Sequence, residues 1–214
     1  MFRSAWLPKW VLVALTASLA VVAMATAALA WVSREPALPR FGPMPSFRLV
    51  DQAGNPVTEA DVKGKVLAVG FIYTSCTDIC PMLTTVMATL QDQLRREGLL
   101  GEDVLLLSIS VDPERDTPEV LARYAREHGA DTATWRFLTG DPDHIRSVVV
   151  EGFSLGLTKT DAHAHHSGAE AVQAYEVEHS GRVVLVDPVG QIRAYYEGTE
   201  LDPARVAAEI RRLR

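Results

Sequence analysis

From Trp10 to Val32 the chain runs for 23 residues without a charged side chain, rich in Val, Leu and Ala. About 20 such residues in a helix cross the hydrocarbon core of a bilayer, so this run predicts a transmembrane helix and leaves the folded part of the protein to the residues after it. Arg3 and Lys9 precede the run, and cationic flanks stay on the cytoplasmic side. Everything after it is therefore expected across the membrane. A cleaved signal peptide is the alternative, since Ala28-Leu29-Ala30 offers small residues for cleavage. The run exceeds the roughly 7–15 apolar residues of a signal core, which favours a retained anchor. Both readings place the folded part in the same compartment. Nine residues ahead of the run leave no room for an Arg-rich organellar presequence, so the expected address is a bacterial plasma membrane, single-pass, with the domain in the periplasm or otherwise outside the cytoplasm.

After Arg34 the remaining 180 residues carry 18 basic and 27 acidic side chains, a net of −9, which disfavours nucleic acid as a partner. Residues 1–33 are thus expected as cytoplasmic N-terminus and anchor, and residues 34–45, with Pro36, Pro39, Pro43 and Pro45, as an extended, semi-rigid linker. A single domain is expected over 46–214. Within it, Phe47 to Val50 reads as a strand entering a turn, while Val66 to Tyr73 and Val104 to Val111 are apolar runs short enough for buried strands. Helices are expected from about Pro81, over Thr117 to His128, over Asp141 to Glu151, and from Asp202-Pro203 to Leu213. Trp135 to Leu138 is a short strand, and Arg182 to Asp187 with Gln191 to Tyr196 bracket the hairpin turn Pro188-Val189-Gly190. This order describes an α/β sheet of mixed strand direction covered on both faces, and a thioredoxin-like fold fits it.

Both cysteines of the chain lie in Cys76-Thr-Asp-Ile-Cys80, between a strong strand and a helix start. With Pro81 at the first helical position, Cys80 is the expected N-cap, where the helix dipole and unpaired amides lower a thiol pKa. Three readings compete. A structural disulfide closing so small a loop gains little entropy and makes a poor staple. A redox dithiol ordinarily uses Cys-x-x-Cys, and the third intervening residue here leaves room for a soft metal between the sulfurs. Spacing favours metal only modestly over thiol exchange.

Of the six histidines, His179 stands in Glu176-Val-Glu-His179-Ser-Gly181, just ahead of the strand Arg182 to Asp187. A lone histidine there reads from its position as an ordinary core or surface residue; placed by the cysteines it would complete a Cys2His site, whose donors suit Cu(I), with the imidazole helping to retain Cu(II). His163, His165 and His166 sit in a polar loop that reads equally as a solvated insertion and as a weak transition-metal tract. His128 and His144 fall in helices as ordinary surface residues. Asp112 and Asp116 are expected to organise the Asp-Pro-Glu-Arg turn and to cap the helix at Thr117. The C-terminal arginines read as cations at the negative pole of a helix.

Three ordered segments resemble the Sco/SenC family of copper-binding proteins that assist assembly of cytochrome c oxidase: Gly70-Phe-Ile-Tyr-Thr-Ser-Cys76-Thr-Asp-Ile-Cys80-Pro81, Ser110-Val-Asp-Pro-Glu-Arg-Asp-Thr-Pro118, and Val177-Glu-His179-Ser180 followed by Val184-Leu-Val-Asp-Pro188. The likeness covers the chain from about Pro43 onward. It departs from the family pattern at Glu178, where many members have aspartate, and at Thr77, where many have proline. The resemblance implies one copper ion per chain, Cu(I) or Cu(II), held by Cys76, Cys80 and His179; Asp78 keeps the acidic position between the cysteines and reads equally as a helix-proximal cap or solvated side chain and as a group orienting ligands from behind. It implies a carrier that serves the dinuclear copper centre of cytochrome c oxidase subunit II or another cuproprotein, loaded by a copper donor chaperone and kept reduced by a thioredoxin-like reductant. The rival is a thiol-disulfide oxidoreductase that reduces the partner's copper-binding cysteines with the same pair, Cys76 and Cys80, joined in a disulfide in its oxidised state. A peroxidase reading has no accompanying motif.

Overall fold

The computed structural model of the chain describes residues 9–32, 37–77, 79–155, 158–159, 175–176, 181–198 and 200–214. Two compact units are present, Met1–Ala37 and Leu38–Arg214. In the first, helix α1 spans Lys9–Val32, over the uncharged run. Its threonine hydroxyls turn back to the helix itself, Thr16 Oγ1 to the Val13 carbonyl and Thr26 Oγ1 to the Ala23 carbonyl, each at 2.9 Å. Among the described residues, no helix is long and apolar enough to cross a membrane.

The second unit is built on an eight-stranded sheet. Its strands are β1 (Gly42–Pro43), β2 (Arg48–Asp51), β3 (Pro56–Thr58), β4 (Val66–Ile72), β5 (Val104–Ser110), β6 (Trp135–Thr139), β9 (Arg182–Val186) and β10 (Gln191–Glu197), and a separate short pair joins β7 (Thr158–Lys159) to β8 (Tyr175–Glu176). The order across the sheet is β1-β10-β9-β4-β5-β6-β2-β3. β4, β5 and β6 are parallel, while β9, β10, β1, β2 and β3 join antiparallel. Every residue of β4 and β5 is buried, because parallel central strands are covered on both faces and read as continuous apolar runs.

The period-2 alternation of side chains divides the interior into two cores. On one face Val66, Ala68, Ile72, Leu106 and Phe137 pack under helices α3 (Ile79–Arg96), α4 (Pro118–Glu127) and α6 (Pro203–Leu213). On the other, Leu67, Val69, Phe71, Leu107 and Leu138 pack against Val57 and Val62, the latter from α2 (Glu59–Val62), and against Ile145, Val149 and Phe153. Ile145 lies on α5 (Pro142–Arg146), which runs straight into a π-helical stretch, Ser147–Gly152. A single α-helix was expected over this region. The widening coincides with Val148-Val149-Val150, whose branched side chains crowd an α-helical turn.

Two boundaries differ from the sequence expectation. Residues 38–45, expected as the end of the linker, belong to the folded unit: β1 pairs with β10, and Arg193 donates from Nε to the Pro39 carbonyl at 2.8 Å and from Nη2 to the Leu38 carbonyl at 2.6 Å. Helix α3 begins at Ile79, two residues ahead of Pro81. Cys80 is thus the second helical residue and not the N-cap.

The carboxyl ends of β4, β5 and β6 and the beginning of β9 lie along one edge of the sheet, as the registers Ile72↔Ser110, Ile109↔Leu138 and Gly70↔Val183 require. That edge is the usual place for a site in an open α/β sheet.

Candidate metal centre

Past Ile72 the chain leaves the sheet through Tyr73, Thr74 and Ser75 and turns back, the Cys76 amide donating to the Tyr73 carbonyl at 3.2 Å. Cys76 is 9% exposed and Cys80 fully buried, and no disulfide joins them. The Cys80 amide donates to Cys76 Sγ at 3.4 Å. A first-turn amide has no acceptor within its own helix, so the sulfur of one cysteine takes up the backbone donor of the other. From behind, Thr84 Oγ1 donates to the Cys80 carbonyl at 2.8 Å and lies 2.8 Å from the hydroxyl of buried Tyr124.

The expectation of a lowered Cys80 pKa is overturned. Burial pushes the Cys80 thiol well up, and although the backbone bond at Tyr73 pulls it down, the neighbouring Cys76 pushes it further up. A helix N-terminus favours thiolate only when desolvation does not outweigh it. A bound cation reverses this balance, because a coordinating thiol is deprotonated outright. Burial therefore favours the protonated form of Cys80.

Beside the turn lies a buried polar network. Asp116, 0% exposed, accepts from the Thr74 amide at 3.1 Å to Oδ2, from Thr74 Oγ1 at 2.5 Å and from Ser110 Oγ at 2.6 Å. Burial raises its pKa, and the Ser110 and Thr74 hydrogen bonds oppose that rise. Asp112 does what was expected of it: its carbonyl takes the amides of Arg115 and Asp116 at 3.1 and 2.9 Å, and its Oδ2 pairs with Arg115 at 2.8 Å. Thr117 caps α4, accepting from the Val120 amide at 3.4 Å. Asp116 departs from expectation, since it bonds to the cysteine turn and not only to its own loop.

The start of β9 comes close to this loop. A Cβ on Gly181 would lie 2.5 Å from Cδ1 of Ile79, between the two cysteines, and the Gly181 carbonyl accepts from the Gly198 amide. His179, Asp78 and Glu178 lie outside the described residues, as do His163, His165 and His166. Among the described residues, no group of three or more His, Cys, Asp or Glu side chains is placed to hold a metal. His128 and His144 have structural partners: His128 caps α4 and stacks on Tyr124 with ring centroids 4.1 Å apart, and His144 Nε2 accepts from the Arg48 amide at 3.0 Å.

Comparison with known proteins gives a consistent result. A family model described as SCO1/SenC matches residues 39–214. The SCO1 protein homolog of Bacillus subtilis (strain 168) is 32% identical over 158 residues, covering 73% of this chain and 75% of the relative. The solved structure of BsSco, described as a member of the Sco family of cytochrome c oxidase assembly proteins with a disulfide switch, matches with a TM-score of 0.65 at 27% identity, over 82% of this chain and 96% of its own. Bradyrhizobium japonicum ScoI, solved with copper bound, matches with a TM-score of 0.59 at 26% identity, over 80% of this chain and 99% of its own.

Proposed function

Because the chain belongs to the SCO1/SenC family and has the α/β thioredoxin-like fold of Sco proteins, we propose that it binds copper and delivers it to, or helps assemble, the dinuclear copper centre of cytochrome c oxidase subunit II. The ligands in this reading are Cys76, Cys80 and His179, with Asp78 orienting them. The single observation that carries it is the close packing of Gly181 on Ile79. Two residues of extended chain span at most about 7 Å, so a histidine two positions before Gly181 is within chain reach of the cysteine loop. Two thiolates and one imidazole form a soft set that retains Cu(I) and tolerates Cu(II). Copper is the cargo: each cysteine gives up its proton when the ion arrives, and the ion leaves by stepwise exchange onto thiolates and imidazoles of the partner.

Residues 1–33 serve in this proposal as a membrane anchor, a role that rests on the uncharged run Trp10–Val32, and the domain works outside the cytoplasm. A copper donor chaperone loads it and a thioredoxin-like protein keeps it reduced.

A second reading is favoured by the reduced cysteine pair, in which one residue's amide already touches the other's sulfur. Here the dithiol passes two electrons and two protons to a partner disulfide, leaving a Cys76–Cys80 disulfide and a reduced partner. The readings separate when the reduced, copper-loaded protein is mixed with the apo copper domain of subunit II whose cysteines are already reduced. Copper content gained by the subunit II domain after the two proteins are separated, lost in His179→Ala, supports copper delivery. Activity confined to an oxidised partner, with His179→Ala as good as wild type, supports thiol exchange.

A further inference from the structure

Asp116 bonds out of the loop that carries it. Asp112, in the same loop, bonds within its own turn through its carbonyl and its Arg115 pair. The Asp116 carboxylate instead takes both the amide and the hydroxyl of Thr74, and the hydroxyl of Ser110 at the end of β5. This two-point hold fixes Thr74 42 residues away in sequence. Two residues further on is Cys76, whose amide closes the turn onto Tyr73. The far end of the cysteine loop is held independently, by the first turn of α3 and the Thr84 bond to the Cys80 carbonyl. Both ends of the loop are thus fixed by groups that are not themselves sulfur ligands.

We infer that Asp116 is a positioning residue for the cysteine pair: by holding Thr74 it sets the direction of Cys76 Sγ, and with it both the affinity of the pair for copper and the ease with which Cys76 and Cys80 join in a disulfide. A disulfide tolerates only a narrow range of Cα separation and dihedral angle, and two metal ligands must converge on one point. Loosening the turn therefore moves both properties.

The inference rests on the copper reading for one of its two readouts. In the full chain, Asp116→Asn keeps the shape of the side chain but removes the charge and one acceptor; Thr74→Val removes the hydroxyl donor, and Thr74→Ser retains it. Cu(I) affinity is measured by competition with a chromophoric chelator. The disulfide equilibrium is measured without metal in glutathione buffers, where one glutathione disulfide accepts two electrons and two protons from Cys76 and Cys80 and leaves as two thiols. Asp116→Asn is expected to weaken copper binding by about 10–100-fold, the usual effect of losing a group that supports a ligand, and to shift the disulfide equilibrium. Thr74→Val moves both in the same direction, Thr74→Ser matches wild type, and the Asp116→Asn, Thr74→Val double variant is no worse than Asp116→Asn. Values within about twofold of wild type in both assays, or fully additive effects of the two substitutions, overturn the inference. If Asp116→Asn does not fold, the Thr74 pair decides: equal behaviour of the valine and serine variants overturns it. If wild type binds no copper, the copper reading fails, and the disulfide equilibrium alone decides the role of Asp116.

Discussion

Gly181 lies so close to Ile79 that a methyl group on its α-carbon would stand 2.5 Å from Ile79 Cδ1. This closeness seats the beginning of β9 on the cysteine loop. Gly181→Ala should destabilise the domain by at most about 1 kcal/mol, the low end of the usual cost of overpacking, because the atom it meets is the far end of the Ile79 side chain. Ile79→Val deletes the clashing Cδ1, so the double variant should recover part of that loss. Urea midpoints of the two single variants and the double variant check this, and strict additivity would show that the two residues are not coupled.

Arg193 and Asp187 form a buried ion pair at 2.8 Å, the side chains 11% and 6% exposed. Arg193→Ala leaves Asp187 without its cation, and breaking such a pair costs about 3–5 kcal/mol. The loss should fall at the lower end, because Asp187 still accepts the amides of Val189 and Gln191 at 3.1 and 2.8 Å. The same substitution releases the carbonyls of Leu38 and Pro39. Limited proteolysis should accordingly cut near residues 38–41 faster in the variant, with chemical denaturation giving the stability.

Glu97, at the end of α3, bonds to Arg211 of α6 at 2.5 Å. That bond holds the Glu97 carboxyl below its ordinary pKa of 4.5. A carboxyl lowered on folding contributes stability that is present above its unfolded pKa and lost as pH falls through the folded one. Carboxyl-carbon NMR should show Glu97 titrating below the ordinary value, and Arg211→Ala should return it upward. The site is exposed, so salt should weaken the effect.

The two thiols should differ in reactivity. Cys80 is fully buried and its pKa is pushed up by that burial, and the thiolate is the reactive form. In the reduced, metal-free protein, alkylation followed by mass spectrometry should modify Cys80 only at the rate at which the domain opens, and without acceleration as pH rises toward the ordinary thiol value. Rapid labelling of Cys80 under native conditions would contradict the buried placement.

Much of the fold was legible in local pattern. The runs Val66 to Tyr73 and Val104 to Val111 became β4 and β5 to within a residue, and Thr117, Asp141 and Asp202, each followed by proline, cap α4, α5 and α6. Pro81 misled by two residues, because the first four amides of any helix lack intrahelical acceptors and proline fits the third position as well as the first. The linker boundary was hidden for another reason: prolines read as a spacer, while the group that holds Pro39 is Arg193, 154 residues away. Of the candidate site, Cys76 and Cys80 stand together at the carboxyl edge of the sheet. The link between Asp116 and Thr74 was not legible, since side-chain bonds between loops 42 residues apart follow from topology and not from spacing. His179, Asp78, His163, His165 and His166 lie outside the described residues.

The proposed function requires Cys76, Cys80 and His179 to hold one copper ion. The most direct test is the copper stoichiometry and affinity of the reduced protein beside its Cys76→Ser, Cys80→Ser and His179→Ala variants. One copper per chain is expected in wild type, with loss of tight binding in each serine variant and weakened or spectroscopically altered Cu(II) binding in His179→Ala. Absence of tight copper binding in wild type, or the same stoichiometry and affinity in all three variants, would contradict it.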